Sequence, residues 1–238
     1  MYKSLRAVAR DLEKSGRLLR IREEVDPDLE VAEIHRQVFE RQGPALLFEN
    51  IKGSPFQGIS NIYGTFERTA FLFRHTLERV KKVIEVKKDP SVLLRNPLRY
   101  AGVPFTALTA LPMRRPGGLP GGWQRTTIGH LTQIKSWPLD GGAFITMPQV
   151  LTEDPDQPGI MHSNTGMYRI QLSGNHYVPD QEIGLHYQLH RGIGVHHTKY
   201  NQRQEPFRCS IFVGGPPSHA FAAIMPLPEG LSEVTFAG

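Results

Sequence analysis

The chain of 238 residues has a single cysteine, Cys209. One thiol forms no intrachain disulfide and supplies no cysteine-based zinc site. Its neighbours in "FRCSIFVGG" are apolar or β-branched, so a buried, inert thiol in a reducing compartment is expected. No apolar run approaches the ~20 residues that span a bilayer as a helix. Internal repeats and low-complexity tracts are also lacking. The opening "MYKSLRAVARDLEKSG" contains acidic residues and reads as an amphipathic helix, not a signal peptide, so the expectation is a soluble cytoplasmic protein. Net charge is +5, but the basic residues are scattered, with small clusters at Lys81-Lys82, Lys87-Lys88 and Arg114-Arg115. A nucleic-acid interface needs a denser basic stripe with interleaved aromatics, so no nucleic-acid partner is expected. A modest basic excess does suit an anionic small ligand.

What is present is ordinary globular material: 39% hydrophobic, 21% charged and 9% aromatic residues. The length allows one large domain or two small ones. Leu5, Val8, Ala9 and Leu12 fall on one helical face, and Gly16 stops that helix. "RLLRIREEV" alternates like a strand. Asp26 is a good N-cap and Pro27 a good first residue for a helix over "DPDLEVAEIHRQVFERQG". "PALLFENI" reads as a buried strand, and one helix is predicted over "FERTAFLFRHTLERVKKVIEV". From residue 97 to about 124 proline and glycine dominate, which predicts a long connection. Beyond it helix signals fade. "GAFITMPQVL", "GMYRIQLSG", "EIGLHYQLH", "PFRCSIFVGG" and "AFAAIMPL" read as strands or short buried segments. The expected organisation is an α/β domain over 1–115 followed by a β-rich domain over 116–238. A barrel or sandwich is the natural way for the second to remove its edges.

Several polar residues need a reason. In "HSNTGMYRIQLSG" strand periodicity puts Met167, Arg169 and Gln171 on one face and Tyr168 and Ile170 on the other. Asn164 stands at the strand entry. A buried Arg169 requires an anion, either a carboxylate of the protein or a bound phosphate or carboxylate. Histidines are dense from 176 to 197, and His186 and His190 lie four apart. On a helix that spacing makes a metal pair; a strand also puts both on one face. No glutamate follows the first histidine, so the usual zinc-protease motif is absent, and each histidine is equally readable as a satisfied core or surface residue. Glu233 lies among Leu231, Val234 and Phe236, and is either a surface residue on a turn or a carboxylate that is protonated, paired or metal-bound. Amide oxygen, imidazole nitrogen and carboxylate are compatible with Mn²⁺ or Mg²⁺.

In chain order, "GPALLFENIKG" (43–53), "WPLDGGAFIT" (137–146), "NTGMYRIQ" (164–171), "HYQLHRG" (186–192) and "MPLPEGLSEVTFAG" (225–238) resemble the UbiD-type reversible decarboxylases. These use prenylated FMN. The resemblance implies that the second domain is a flavin-reductase-like split β-barrel. It implies that Asn164, His190 and Glu233 hold a divalent metal, usually Mn²⁺, against the flavin phosphate. Met167, Tyr168 and Arg169, then His186, Tyr187 and Gln188, then Arg191 and Gly192 would contact the cofactor. Arg169 would also lie beside the substrate carboxylate. Carbonyls around Ala222, Ala223 and Met225 resemble those that hold K⁺ in some members. The implied reaction is loss of CO₂ from an aromatic or α,β-unsaturated acid, most commonly 3-polyprenyl-4-hydroxybenzoate in ubiquinone biosynthesis. A flavin prenyltransferase would supply the cofactor, and the full-length protein would be a homo-oligomer. Family members are about twice this length, and the segment carrying their proton-donor acid has no match here. Neither Glu229 nor Glu233 corresponds to it. The chain therefore reads as an N-terminal portion, a split subunit or a truncated product, inactive alone. A flavin- or metal-binding subunit without catalysis is the alternative. A histidine-rich metal hydrolase is a third reading, opposed by the missing base.

Overall fold

The computed structural model describes residues 2–109, 125–225 and 232–237. Helix α1 (Leu5–Lys14) buries Val8 and Leu12, and Ser4 caps it by accepting the Ala7 N–H. Gly16 follows at φ +68, the left-handed geometry that ends a helix. Strand β1 (Leu18–Val25), helix α2 (Glu30–Glu40), strand β2 (Ala45–Ile51) and strand β3 (Gly58–Ser60) come next. β1 and β2 pair in parallel across α2, β3 pairs antiparallel with β2, and the order is β1-β2-β3. β2 is therefore central and covered on both faces. Ala45 packs with Val8 and Leu12 of α1, whereas Leu46 and Phe48 pack with Val31 of α2. Two covered faces are why "ALLF" is continuously apolar instead of alternating.

Three local expectations differ. α2 begins at Glu30, not at Pro27, because Leu29 takes φ +71 as its N-cap. The Asp26 carboxylate instead accepts the Asp28 N–H, and the Asp26 N–H donates to Glu30. The long helix is two, α3 (Phe66–Leu72) and α4 (Leu77–Lys88), broken where the Thr76 hydroxyl donates to the Phe73 carbonyl. Short helices α5 (Val92–Arg95), α6 (Pro97–Tyr100) and α7 (Val103–Thr109) occupy the start of the expected connection. The boundary near 115 and the Arg114-Arg115 pair lie outside the described residues.

The second unit contains β4 (Phe144–Ile145), β5 (Pro148–Glu153), β6 (Ser163–Gly166), β7 (Arg169–Gln171), β8 (Gly184–His186) and β9 (Cys209–Val213). They form two antiparallel sheets, ordered β4-β7-β8 and β6-β5-β9. Among the described residues these sheets are open, not a closed barrel. Helices α8 (Gly192–Gln202), α9 (Pro217–Ile224) and α10 (Glu233–Ala237) accompany them. α9 covers residues 220–224 of "AFAAIMPL", expected as a strand, and Pro226 and Leu227 lie outside the described residues. A short apolar run is compatible with either form, and Pro217 at the first turn favours the helix. Val150 of β5, Ile170 of β7 and Ile193 of α8 share one core. Cys209 is exposed, because β9 is an edge strand. The units touch through Lys135, which exchanges backbone hydrogen bonds with Pro27 and Leu29, and through Phe221, whose ring meets Tyr63 and Phe73.

Candidate functional site

Antiparallel pairing of β7 with β8 sets Arg169 directly opposite His186. This joins two of the segments singled out in the sequence, 167–169 and 186–188. Phe144 of β4 completes the group. Its ring lies 4.0 Å beneath the Arg169 guanidinium and meets the His186 ring edge-on at 6.2 Å. Arg169 is exposed, not buried as expected: its side chain is 56% accessible, with a loose 3.3 Å contact to Asp140. Gln171, two residues on, is fully buried. The three-residue strand β7 runs from an exposed end at Arg169 into the core, so one face is wet at one end and dry at the other. His190 does not share a strand face with His186. β8 ends at His186, and His190 lies in the turn before α8.

β6, which carries Asn164, meets both the stretch that follows His190 and the one that carries Glu233. A Cβ built on Gly192 would overlap Asn164 Oδ1, so the start of α8, two residues beyond His190, lies against this side chain. On its other side, the Thr165 N–H donates to Glu233 Oε2 at 2.9 Å. Glu233 is half-buried, and desolvation raises its pKa against the opposing pull of that N–H. No cationic side chain pairs with it among the described residues. Asn164 Nδ2 donates to the Tyr168 hydroxyl at 3.2 Å. The Tyr168 ring meets that of Tyr187 at 6.3 Å, and Tyr187 hydrogen-bonds His197 Nδ1. Burial pushes the Tyr187 phenol up. A polar and aromatic chain thus runs from Asn164 to α8.

Among the described residues no group of three or more His, Cys, Asp or Glu is placed to hold a metal, though an amide and a carboxylate are ligand types of hard divalent cations. Among the described residues Asn164 offers an amide oxygen with no hydrogen-bond donor, and Glu233 a carboxylate desolvated without a counter-charge, which a cation would keep ionised. For an anionic cofactor, Arg191, Gln188 and His186 present an exposed polar edge, and Arg191 enters no ion pair among the described residues. The Ala223 carbonyl accepts the Met167 N–H, and the Ala222 carbonyl that of Met225. Glu229 lies outside the described residues. Phe144, Asp140 and Thr165 are the participants that sequence reading gave no role, and His197 was named only as one of the dense histidines from 176 to 197. Membership of Asp140 and Phe144 in "WPLDGGAFIT" was the available signal for two of them.

The 3-octaprenyl-4-hydroxybenzoate carboxy-lyase N-terminal domain matches residues 9–87, and the Rift-related domain of the same carboxy-lyase matches residues 122–238. The chain belongs to the UbiD family. An uncharacterized protein of Chlamydia muridarum is 36% identical over 98% of this chain and 39% of its own length. A 4-hydroxybenzoate decarboxylase subunit from Chlamydia pneumoniae is 35% identical over 90% of this chain and 35% of its own. Among solved structures, the closed form of vanillic acid decarboxylase from Sedimentibacter hydroxybenzoicus superposes over the whole chain and 48% of its own, with TM-score 0.79 and 23% identity. The UbiD-class enzyme HmfF from Pelotomaculum thermopropionicum, in complex with FMN, gives 0.73 and 22% over 98% of this chain and 47% of its own. The fold is thus that of the N-terminal portion of UbiD-class decarboxylases. The chain spans less than half the length of these relatives. No helix among the described residues is long and apolar enough to cross a membrane.

Proposed function

We propose that this chain is the cofactor-holding part of a UbiD-type carboxy-lyase that releases CO₂ from an aromatic or α,β-unsaturated carboxylic acid. The observation that carries the reading is the register of β7 on β8, which gathers Arg169, His186 and Phe144 on one patch. Met167, Tyr168, Arg169, His186, Tyr187, Gln188, Arg191 and Gly192 would line prenylated FMN, and the two open sheets would be the described part of a split barrel. Asn164, His190 and Glu233 would hold Mn²⁺ or Mg²⁺ beside the flavin phosphate. When bound, the flavin supplies the electron sink that loss of CO₂ requires. The K⁺ reading at Ala222, Ala223 and Met225 rests on the family resemblance.

The chain's own residues bind and orient. Phe144 stacks under the Arg169 guanidinium and holds its plane, so that its fork presents two N–H groups to a carboxylate. The 3.3 Å contact with Asp140 is loose enough for a substrate carboxylate to displace it. The β7–β8 register and the Tyr168–Tyr187 ring contact hold the two cofactor segments relative to one another, and the Asn164–Tyr168 and Tyr187–His197 hydrogen bonds orient the two phenols. No acid matching the family's proton donor is found in the chain, so binding without turnover is expected of these 238 residues alone.

The test is co-expression with a flavin prenyltransferase, followed by an absorption spectrum and metal analysis of the purified chain. Bound flavin with manganese in equal amount is expected; folded protein free of flavin contradicts the reading. Release of CO₂ from a hydroxybenzoate by the loaded chain would overturn the inactivity. In a second reading another chain completes the enzyme, which draws on the Chlamydia pneumoniae relative being named as one subunit of a decarboxylase. It predicts the same loading, and turnover only after the completing chain is added.

A further inference from the structure

On the first unit a cavity of about 400 Å³ opens between α4, α6 and α7. Arg79 and Lys82 of α4, Arg99 of α6, and Val103 and Phe105 of α7 line it. No Asp or Glu takes part in the lining among the described residues. Nor does any residue proposed above to hold flavin, metal or a substrate carboxylate. The volume is within the range of small-molecule sites. An apolar void of about 150 Å³ holds one benzene, so this cavity has room for a small aromatic body with a charged group beside it.

Three cations around one cavity need a reason. Arg79 and Lys82 are three apart on α4 and so are neighbours on its surface, where like charges repel. Arg99 is brought to them by Tyr100, which is buried and donates its hydroxyl to Glu85 of α4 at 2.7 Å. The acids nearby are already engaged. Glu78 accepts from Lys81 at 2.8 Å, and Glu85 accepts from Tyr100. Arg99 reaches the same Glu85 oxygen only at 3.4 Å, and its side chain stays 58% exposed. Lys82 and Arg99 act on Glu78 only at longer range, behind Lys81. Arg79 and Lys82 enter no ion pair among the described residues, so the positive charge of the lining is only partly offset. Phe105 is 71% exposed, a large aromatic side chain left in water beside these cations.

We infer that this cavity binds a phosphomonoester of an aromatic alcohol, with its phosphate on Arg79, Lys82 and Arg99 and its ring against Val103 and Phe105. A phosphomonoester carries close to two negative charges at neutral pH and has three terminal oxygens, one for each cation. Guanidinium forks suit such oxygens in geometry as well as charge. A carboxylate has one charge and two oxygens, and satisfies the set less well. The site is separate from the one proposed for the acid substrate, and the inference does not rest on the decarboxylase reading.

The probe is 1-naphthyl phosphate, titrated by its fluorescence into the whole chain at about pH 7.5, where the ester is dianionic. The comparisons are 1-naphthoate, 1-naphthol and, as a competitor, inorganic phosphate. Saturable binding of the ester is expected, weakening as salt is raised. 1-Naphthoate and inorganic phosphate should each bind more weakly, and 1-naphthol should not saturate. Lys82→Gln and Arg99→Gln should each weaken the ester by roughly three- to tenfold, as loss of one partly exposed charged hydrogen bond allows. Phe105→Ala should bring the ester down to the level of inorganic phosphate. Lys88→Gln, on α4 but outside the lining, should leave binding unchanged. Arg99, Phe105 and Lys88 are exposed, so their variants keep the test decisive if Lys82→Gln does not fold. No saturable binding, equal weakening by Lys88→Gln, or binding indifferent to Arg99→Gln would each overturn the inference, the last by placing the anion elsewhere, the proposed flavin site included. 1-Naphthol binding as tightly as the ester would reduce the cavity to an apolar pocket, and inorganic phosphate competing as tightly as the ester binds would refute the role of Phe105.

Discussion

Gly192 owes its identity to Asn164. Any Cβ there would overlap Asn164 Oδ1, and Gly192 sits at the first position of α8, where the backbone has little freedom to move away. Gly192→Ala should therefore destabilise the fold by about 1–3 kcal/mol, the range for forcing a methyl into an occupied space. Gly102→Ala, where a Cβ meets nothing within 4 Å, should change stability by less than about 0.5 kcal/mol. Urea unfolding of the two variants checks both. At this scale the resemblance singled out Asn164, His190, Glu233 and Gly192 as expectations, but not the Thr165 contact to Glu233 nor the approach of Asn164 that requires glycine at 192, both of which come from close approach in space. The exposure of Arg169 and of Cys209 was also illegible. Alternation along a strand shows that two faces differ, and where the sheet is short or the strand lies at its edge it does not show which is covered.

Strand β2 is the element with most of its side chains in two cores at once. Leu46 is fully buried and packs with Phe48, Val25 and Val31. Leu46→Ala should cost about 2–5 kcal/mol, read as a lower urea midpoint with an unchanged slope. The β1-α2-β2 order was readable because its helix and strand have clear periods. α8 and α9 were not. "GIGVHHTKYNQ" has two glycines and no continuous apolar stripe, and it is helical because Ile193, Gly194 and His196 pack inward. "AFAAIMPL" is too short for periodicity to separate helix from strand. The Thr152–His196 hydrogen bond, 2.9 Å, ties α8 to β5, and no local signal foretells a contact 44 residues apart.

Across the whole molecule, His35, His196 and His219 are all held below their ordinary pKa by burial. Above the ordinary histidine range both folded and unfolded chains are neutral at these sites. Below it the unfolded chain takes protons that the folded chain resists, so stability present above about pH 6.5 is lost as pH falls toward the folded values. The urea midpoint should drop between pH 7.5 and pH 5.5, and His196→Gln should flatten part of that drop; a midpoint independent of pH over that interval would contradict the burial of these rings. The shift in composition near residue 97 suggested a division whose boundary near 115 lies outside the described residues. The openness of the two sheets was not legible, because closure depends on which strands meet in space, and periodicity is blind to partners.

In the proposed metal centre an amide, an imidazole and a carboxylate from three separate stretches grip one divalent cation. Titration of Mn²⁺ into the purified chain, followed by the loss of the free-ion electron paramagnetic resonance signal, addresses this directly when run beside Glu233→Gln and Asn164→Ala. The expected result is one saturable site in the parent chain, weakened at least about tenfold in each variant, as loss of one ligand to a hard cation implies. Equal Mn²⁺ binding by all three proteins, or none by the parent, would contradict the account.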